Sequence, residues 1–213
     1  MLNLPQSTAF GKRIPKQKFY EHLGVTPELK RAFTEQLKLI TWANKLSPQT
    51  LNLAPGTAVQ EIEVFQLRLT GQELDERVLE AMDKQIPYYL IFLLVRPDGA
   101  EKLKVHYKEA QPGGTVQLKK LYETNWTPPG KLSLPCTALD MDALYEAMVR
   151  EIAGEQLQVP AEETLQETLA RTEQQEKLQK QIMQLRNKMK KEKQLARQME
   201  LRRELKKLEE QAK

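Results

Sequence analysis

From residue 161 to residue 213 the chain runs 53 residues without a glycine or a proline, and it is built largely from Gln, Glu, Lys, Arg and Leu. These side chains lose little rotamer freedom in a helix, and the two residues that most readily end one are missing. One long helix is the expectation. Its charge is graded: residues 161–176 carry one Arg and five Glu, whereas residues 177–213 carry 13 basic and five acidic side chains. Acid at the amino end and base at the carboxyl end complement the helix macrodipole.

The apolar positions of this helix predict a partner. Leu178, Ile182, Leu185 and Met189 follow 4-3-4 spacing, and Leu201, Leu205, Leu208 and Ala212 repeat it, which is the pattern of a coiled-coil seam. Continuing the first phase would bring Glu192 and Arg203 into the seam. The register therefore breaks between Lys190 and Gln194 and resumes around Leu195, Met199 and Leu201, as a stutter or a corner. A straight helix of this length spans about 80 Å, and a 160-residue globule is about 40 Å across. Much of it must project or fold back, its seam covered by a second copy, by its own other half or by a different protein. The basic run Arg186, Lys188, Lys190, Lys191, Lys193, Arg197, Arg202 and Arg203 is either the solvated face of a coil or a contact for phosphates.

Charge divides the chain at Pro160. The whole has 33 Lys+Arg and 29 Asp+Glu, and residues 161–213 hold 14 and 10 of these, so residues 1–160 hold 19 of each and are neutral. No stretch has the roughly 18 apolar residues of a membrane-spanning helix, and Met1 to Phe10 lack the pattern of a signal peptide. With Cys136 as the lone cysteine, a reducing, cytoplasmic setting is expected. Two histidines, no glycine-rich phosphate loop and no nucleophile elbow leave no catalytic residue, cofactor or metal ligand to assign.

Residues 1–25 form a basic segment with Lys12, Arg13, Lys16 and Lys18 around Pro15, followed by Phe19 and Tyr20. It reads as a surface helix anchored by its aromatics or as a grip on nucleic acid. Thr26-Pro27-Glu28 is a helix start, and Leu29, Phe33, Leu37 and Ile40 share one face of a helix predicted from Pro27 to about Leu46. Val59 to Leu69 is strand-like, with a bulge or a change of face near Phe65. Leu74, Val78, Ala81, Met82 and Ile86 form a helical stripe before Pro87, and Tyr88 to Val95 is an apolar run typical of a central strand. After the turn Arg96-Pro97-Asp98-Gly99, Leu103, Val105 and Tyr107 alternate with Lys102, Lys104, His106 and Lys108, which predicts a strand with a charged outer face. A further turn at Pro112-Gly113-Gly114 leads to a strand from Val116 to Glu123. Asp140 caps a last helix that Gly154 closes. The expected architecture is α+β: a mixed sheet of four or five strands with packed helices over 26–159, followed by a long C-terminal coiled-coil helix over 160–213.

Glu61 and Glu63 suggest a metal-dependent nuclease, in which two carboxylates hold Mg²⁺ while a lysine orients water. The usual acid-x-Lys spacing is missing, because Glu63 and Phe65 stand two residues after these acids. His22 and His106 have no partner at ligand spacing and read as surface or satisfied side chains. Cys136 reads as a buried structural thiol and Trp126 as a core residue or a binding edge.

The ordered set Lys12-Arg13-Ile14-Pro15-Lys16, Trp42 with Lys45-Leu46, Thr50-Leu51-Asn52, Glu61-Ile62-Glu63-Val64-Phe65, Leu74-Asp75 with Val78-Leu79, Ile86-Pro87-Tyr88, Lys108-Glu109 and Thr124-Asn125-Trp126 resembles a prokaryotic family, the domain-of-unknown-function 4391 family. The segment Glu192-Lys193-Gln194 through Glu200-Leu201 also resembles that family's helical C-terminus, although Leu195 and Ala196 stand where the family commonly has an aromatic and an Asn. The resemblance carries no activity. It implies genes set beside helicases and DNA methyltransferases in restriction-like defence islands. The expected function is thus a non-enzymatic accessory protein that assembles with itself or with a helicase or methyltransferase subunit through the seam Leu178, Ile182, Leu185, Met189, Leu195, Met199, Leu201, Leu205 and Leu208. DNA contact is assigned to Lys12, Arg13, Lys16, Lys18, Lys190, Lys191, Lys193, Arg197, Arg202 and Arg203. A sequence-nonspecific nucleic-acid-binding module is the alternative, and a nuclease the remote one.

Overall fold

The computed structural model describes residues 2–21, 25–110, 116–157, 165–192 and 194–211. His22, the turn at 112–114 and Lys193 lie outside the described residues. The chain divides into two compact units, Met1–Gln156 and Leu157–Lys213.

Unit 1 is built on a six-stranded sheet in sequence order: β1 (Ala9–Ile14), β2 (Leu37–Leu46), β3 (Ile62–Leu69), β4 (Tyr89–Val95), β5 (Glu101–Ala110) and β6 (Val116–Glu123). Short helices α1 (Gln17–Tyr20) and α2 (Pro27–Arg31) precede β2, and α3 (Pro48–Leu51) follows it. Helix α4 (Glu76–Gln85) joins β3 to β4, and α5 (Met141–Ala153) follows β6. Neighbours are antiparallel except β3 and β4, which are parallel because α4 carries the chain back to the same end.

Six strands replace the expected four or five, and both additions come from segments with a helical reading. The basic segment supplies edge strand β1, paired with β2 through Lys12↔Trp42, Arg13↔Thr41 and Ile14↔Ile40. The helix starting at Pro27 is capped as expected, the Thr26 hydroxyl accepting from the Leu29 amide at 3.3 Å. It ends, however, in a π-helical turn at Ala32–Gln36, and the chain then becomes β2. A bulge between Leu37 and Leu39 shifts the register, so that Leu37 and Ile40, three apart, both reach the core. That spacing mimics a helix. Ile40, Thr41 and Trp42 suit a strand, and pairing on both sides decides the contest.

The β3–β4 pairing runs without a slip from Ile62↔Tyr89 to Arg68↔Val95, so no bulge interrupts β3 at Phe65; the irregularity lies opposite it, between Trp42 and Asn44 of β2. Glu63, Phe65, Leu67 and Leu69 share the face that holds Ile40, Phe92, Leu94 and the buried stripe of α4. Helix α5 covers the other side of the sheet over β5 and β6, where Tyr145 meets Tyr89 edge-on and stacks with Tyr107 at ring-centroid distances of 4.5 and 6.2 Å.

Unit 2 corrects the single C-terminal coiled-coil helix. It contains two helices, α6 (Leu165–Lys191) and α7 (Leu195–Gln211), packed on one another. Arg186 and Glu209 form an ion pair at 2.6 Å. In a continuous helix these two positions would lie about 34 Å apart, so the chain reverses between the end of α6 and the start of α7, where the seam loses its heptad register. The seam faces its own other arm instead of forming a long coil. Ile182 and Leu205 are buried, Leu178, Leu185, Met189, Leu201 and Leu208 are half-buried, and Met199 is exposed. The side chain of Leu195 lies outside the described residues.

Candidate functional site

The strand predicted to show a charged outer face does the opposite. Lys102, Lys104, His106 and Lys108 of β5 are between 4 and 8% exposed. Lys104 stands opposite Phe92 and Lys102 opposite Leu94, which places this row on the side covered by α4. Uncompensated ammonium groups there would cost several kcal/mol each, and each has a carboxylate. Lys102 meets Glu123 at 2.9 Å, and Lys104 bridges Glu123 at 2.6 Å and Glu76 at 2.9 Å. Burial works against the charge on Lys104, but the bonds to Glu123 and Glu76 outweigh it and raise its pKa. Burial likewise opposes ionisation of Glu123, and the two lysines override it to hold the carboxyl below its usual range.

Asp83 organises the inner end of the row. It lies on the buried face of α4 beside Leu79 and Met82 and is fully enclosed. Its Oδ2 is 2.6 Å from Nδ1 of His106, and its Oδ1 is 3.0 Å from the Lys108 ammonium. Lys108 also donates to the Tyr88 carbonyl. From the opposite side of the sheet, the Tyr145 hydroxyl donates to the His106 carbonyl and accepts the Lys108 amide, both at 3.0 Å. The backbone of these two residues is thus held from one face and their side chains from the other. Burial drives the Tyr145 pKa well above its ordinary value, so the phenol remains a donor.

A second acid–base group adjoins this one at the start of β3. Lys45 of β2 stands across from Glu63, and its ammonium lies 2.6 Å from Oε2 of Glu61. That bond is the main reason the Lys45 pKa is raised. Glu63, 3% exposed, has its pKa pushed up to about 8, first by burial and then by a hydrogen bond with Glu61 and the charge of that neighbour; Lys45 and Lys108 pull the other way. Near neutrality Glu63 therefore holds a proton. Tyr88, 39% exposed, and the partly exposed Lys45 form the rim.

The approach of Glu61 is fixed from a distance. The Asp142 carboxylate at the start of α5 accepts the amides of Thr57 at 2.7 Å, Ala58 at 3.1 Å and Val59 at 2.7 Å. Gly56 passes so close that a Cβ there would sit 2.4 Å from Asp142 Oδ1. Only glycine fits this approach.

The structure thus gathers Lys45, Glu61, Glu63, Asp83, His106 and Lys108, a set that acid-x-Lys spacing could not find because its members come from four separate elements. Among the described residues no group of three or more His, Cys, Asp or Glu is arranged to hold a metal ion. His106 is satisfied by Asp83. Trp126 is half-buried against the core with the Arg96 guanidinium stacked at 3.7 Å from its ring. Cys136 is half-exposed and free, not buried as expected.

The predicted nucleic-acid contacts have different fates. Lys12, Arg13 and Lys18 are exposed, but Lys16 is a structural tether, donating to the carbonyls of Thr34 at 3.0 Å and Leu37 at 2.7 Å. Phe19 is buried and Tyr20 half-buried, as in a surface segment anchored by its aromatics. In unit 2, Lys190, Lys191, Arg197, Arg202 and Arg203 are exposed, and none makes an ion pair among the described residues. No helix among the described residues is long and apolar enough to cross a membrane.

No curated protein and no solved structure matches the chain. A family model does, over residues 2–211, and it takes in the sheet, the buried acid–base groups and both C-terminal helices. The chain belongs to the family described as Domain of unknown function (DUF4391).

Proposed function

We propose that the chain is an accessory interaction protein of a DNA-handling system, with the helicase or methyltransferase subunit expected from its family resemblance as the protein partner and the cytoplasm as its setting. The observation that carries this reading is the unfinished seam of the α6–α7 hairpin. Leu178, Leu185, Met189, Leu201 and Leu208 remain half-buried, and Met183 and Met199 are 65 and 56% exposed. A two-helix unit with so much apolar edge in water gains stability by packing it against a further surface. Tagged native protein purified with and without nuclease treatment tests the reading: a helicase or methyltransferase subunit that stays bound after nuclease supports it. Loss of that subunit in a folded Leu185→Lys, Met199→Lys variant would locate the contact. Recovery of the chain alone, and as a monomer by light scattering, would end it.

A second reading is favoured by the meeting of Glu61 and Glu63 with Lys45 and Lys108. Glu61, and Glu63 once it has lost its proton, could with water and substrate oxygens hold Mg²⁺ at a phosphodiester, and here the lysines come from β2 and β5. Mg²⁺-dependent cleavage of DNA by the purified chain, lost in a folded Glu63→Gln variant, is the expected outcome of this reading. Equal background rates for both proteins would remove it.

A further inference from the structure

The reversal between α6 and α7 does what a straight helix could not. It gathers Lys188 and Lys191, from the end of α6, and Arg197, from the start of α7, around one concavity of about 410 Å³ whose wall is completed by Glu192, Leu201 and Glu204. All three cations are exposed, and none is held by a carboxylate among the described residues. Glu192 is engaged locally, its Oε1 accepting the Gln194 amide at 2.9 Å. Lys190, Arg202 and Arg203 stand exposed on the same two helices and enlarge the basic excess. The ends of the helices do not decide the sign of the field: the carboxyl end of α6 repels an anion and the amino end of α7 attracts one, to a similar extent. The side chains decide it.

We propose that this concavity is a docking site for the sugar–phosphate backbone of double-helical DNA, held through Lys188, Lys191 and Arg197. Three features select this occupant. Residues 157–213 contain no Phe, Tyr or Trp, so unit 2 has no platform on which the bases of a single strand could stack. Among the described residues Leu201 is the one apolar residue of the wall, which leaves little of the apolar core that anchors a protein partner. Two lysines and an arginine spread over two arms match evenly spaced, permanently charged phosphates, and contacts of this kind position a duplex without reading its sequence.

The site shares Leu201 with the apolar edge that carries the partner reading, but its cations are not part of that edge and its test uses only the purified full chain and nucleic acid, so either can fail alone. Binding of a fluorescent duplex is measured from ~50 to ~200 mM salt, with single-stranded DNA, duplex RNA and poly-glutamate as competitors. Neutralising three phosphates predicts a slope of roughly −2.7 in log affinity against log salt, a weakening of roughly 40-fold across that range. Replacing Lys188, Lys191 and Arg197 together with Gln, which keeps helix propensity and is checked by circular dichroism, should flatten the slope and lose most of the affinity at low salt. Lys38→Gln with Lys131→Gln, at two exposed lysines of unit 1, should leave both unchanged. Duplex RNA competing better than duplex DNA would move the same backbone chemistry to RNA and overturn the assignment to DNA. No binding at ~50 mM salt, an unchanged slope in the triple variant, or better competition by single strands or poly-glutamate would overturn the site as a duplex dock.

Discussion

Unit 1 and unit 2 treat charge in opposite ways. In unit 1, Lys102, Lys104 and Lys108 are nearly enclosed and each is matched to a carboxylate at 3.0 Å or less. In unit 2, Lys190, Lys191, Arg197, Arg202 and Arg203 are exposed and without ion pairs among the described residues. A buried charge is costly to strand and so its partners become part of the fold, whereas an exposed one contributes little to stability and remains available to something else. The same residue types therefore serve construction in one unit and encounter in the other. Substitutions should separate them by size of effect.

The largest effect is expected at Asp83. Asp83→Ala strands Lys108 and leaves His106 without its partner, and should cost about 3–5 kcal/mol, read as a drop in the urea midpoint of unit 1. A loss below about 1 kcal/mol would mean that water replaces the carboxylate and that the network is not structural. Next is Leu205→Ala, expected to cost about 2–3 kcal/mol. Amide hydrogen exchange should quicken across α6 and α7 and stay unchanged in β3 and β4; a uniform change would show that the two units unfold together.

Glu63→Gln should act in the other direction. With the folded pKa at about 8 against an ordinary value of 4.5, the unfolded chain releases this proton from about pH 4.5 upward while the folded chain keeps it until about pH 8. Stability contributed by Glu63 is therefore greatest below pH 4.5, falls as pH rises through that window and levels off above it. The Gln variant lacks this slope. It should gain on the parent progressively between pH 5 and pH 8, by about 1–2 kcal/mol once screening near the rim is allowed for, as followed by thermal unfolding at several pH values. The smallest effect belongs to unit 2: Lys190→Gln with Lys206→Gln should alter stability by less than about 0.5 kcal/mol, and an effect comparable to that of Asp83→Ala would abolish the contrast between the units.

Much of unit 1 is legible from spacing and punctuation. Asp140 and Gly154 bracket α5, Pro87 ends the segment after α4, and the apolar run before Arg96 is β4. Strand β2 is not legible, because its bulge places Leu37 and Ile40 at a helical interval and only pairing with β1 and β3 shows the true period. The alternation of β5 correctly marks a strand, yet it cannot say that α4 covers the lysine side. One signal was present: Leu79, Met82, Asp83 and Ile86 fall at i, i+3, i+4 and i+7, which puts a carboxylate on the apolar stripe of α4. An acid there calls for a buried base. The reversal in unit 2 is legible as a loss of heptad register, but its direction depends on contacts such as Arg186 with Glu209, 23 positions apart.

The Asp142 carboxylate has a consequence for the order in which the molecule forms. It grips the amide of Val59 across 83 positions of sequence, and Glu61 follows two residues later. The strands from β2 to β6 can pair locally as they arise, but the loop leading into β3 has no anchor until α5 has been made and docked. Closing so long a loop is slow and entropically costly. Lys45, Glu61 and Glu63 are thus expected to reach their final arrangement late, and a chain truncated before residue 142 should pair its strands while leaving this acid–base group unassembled.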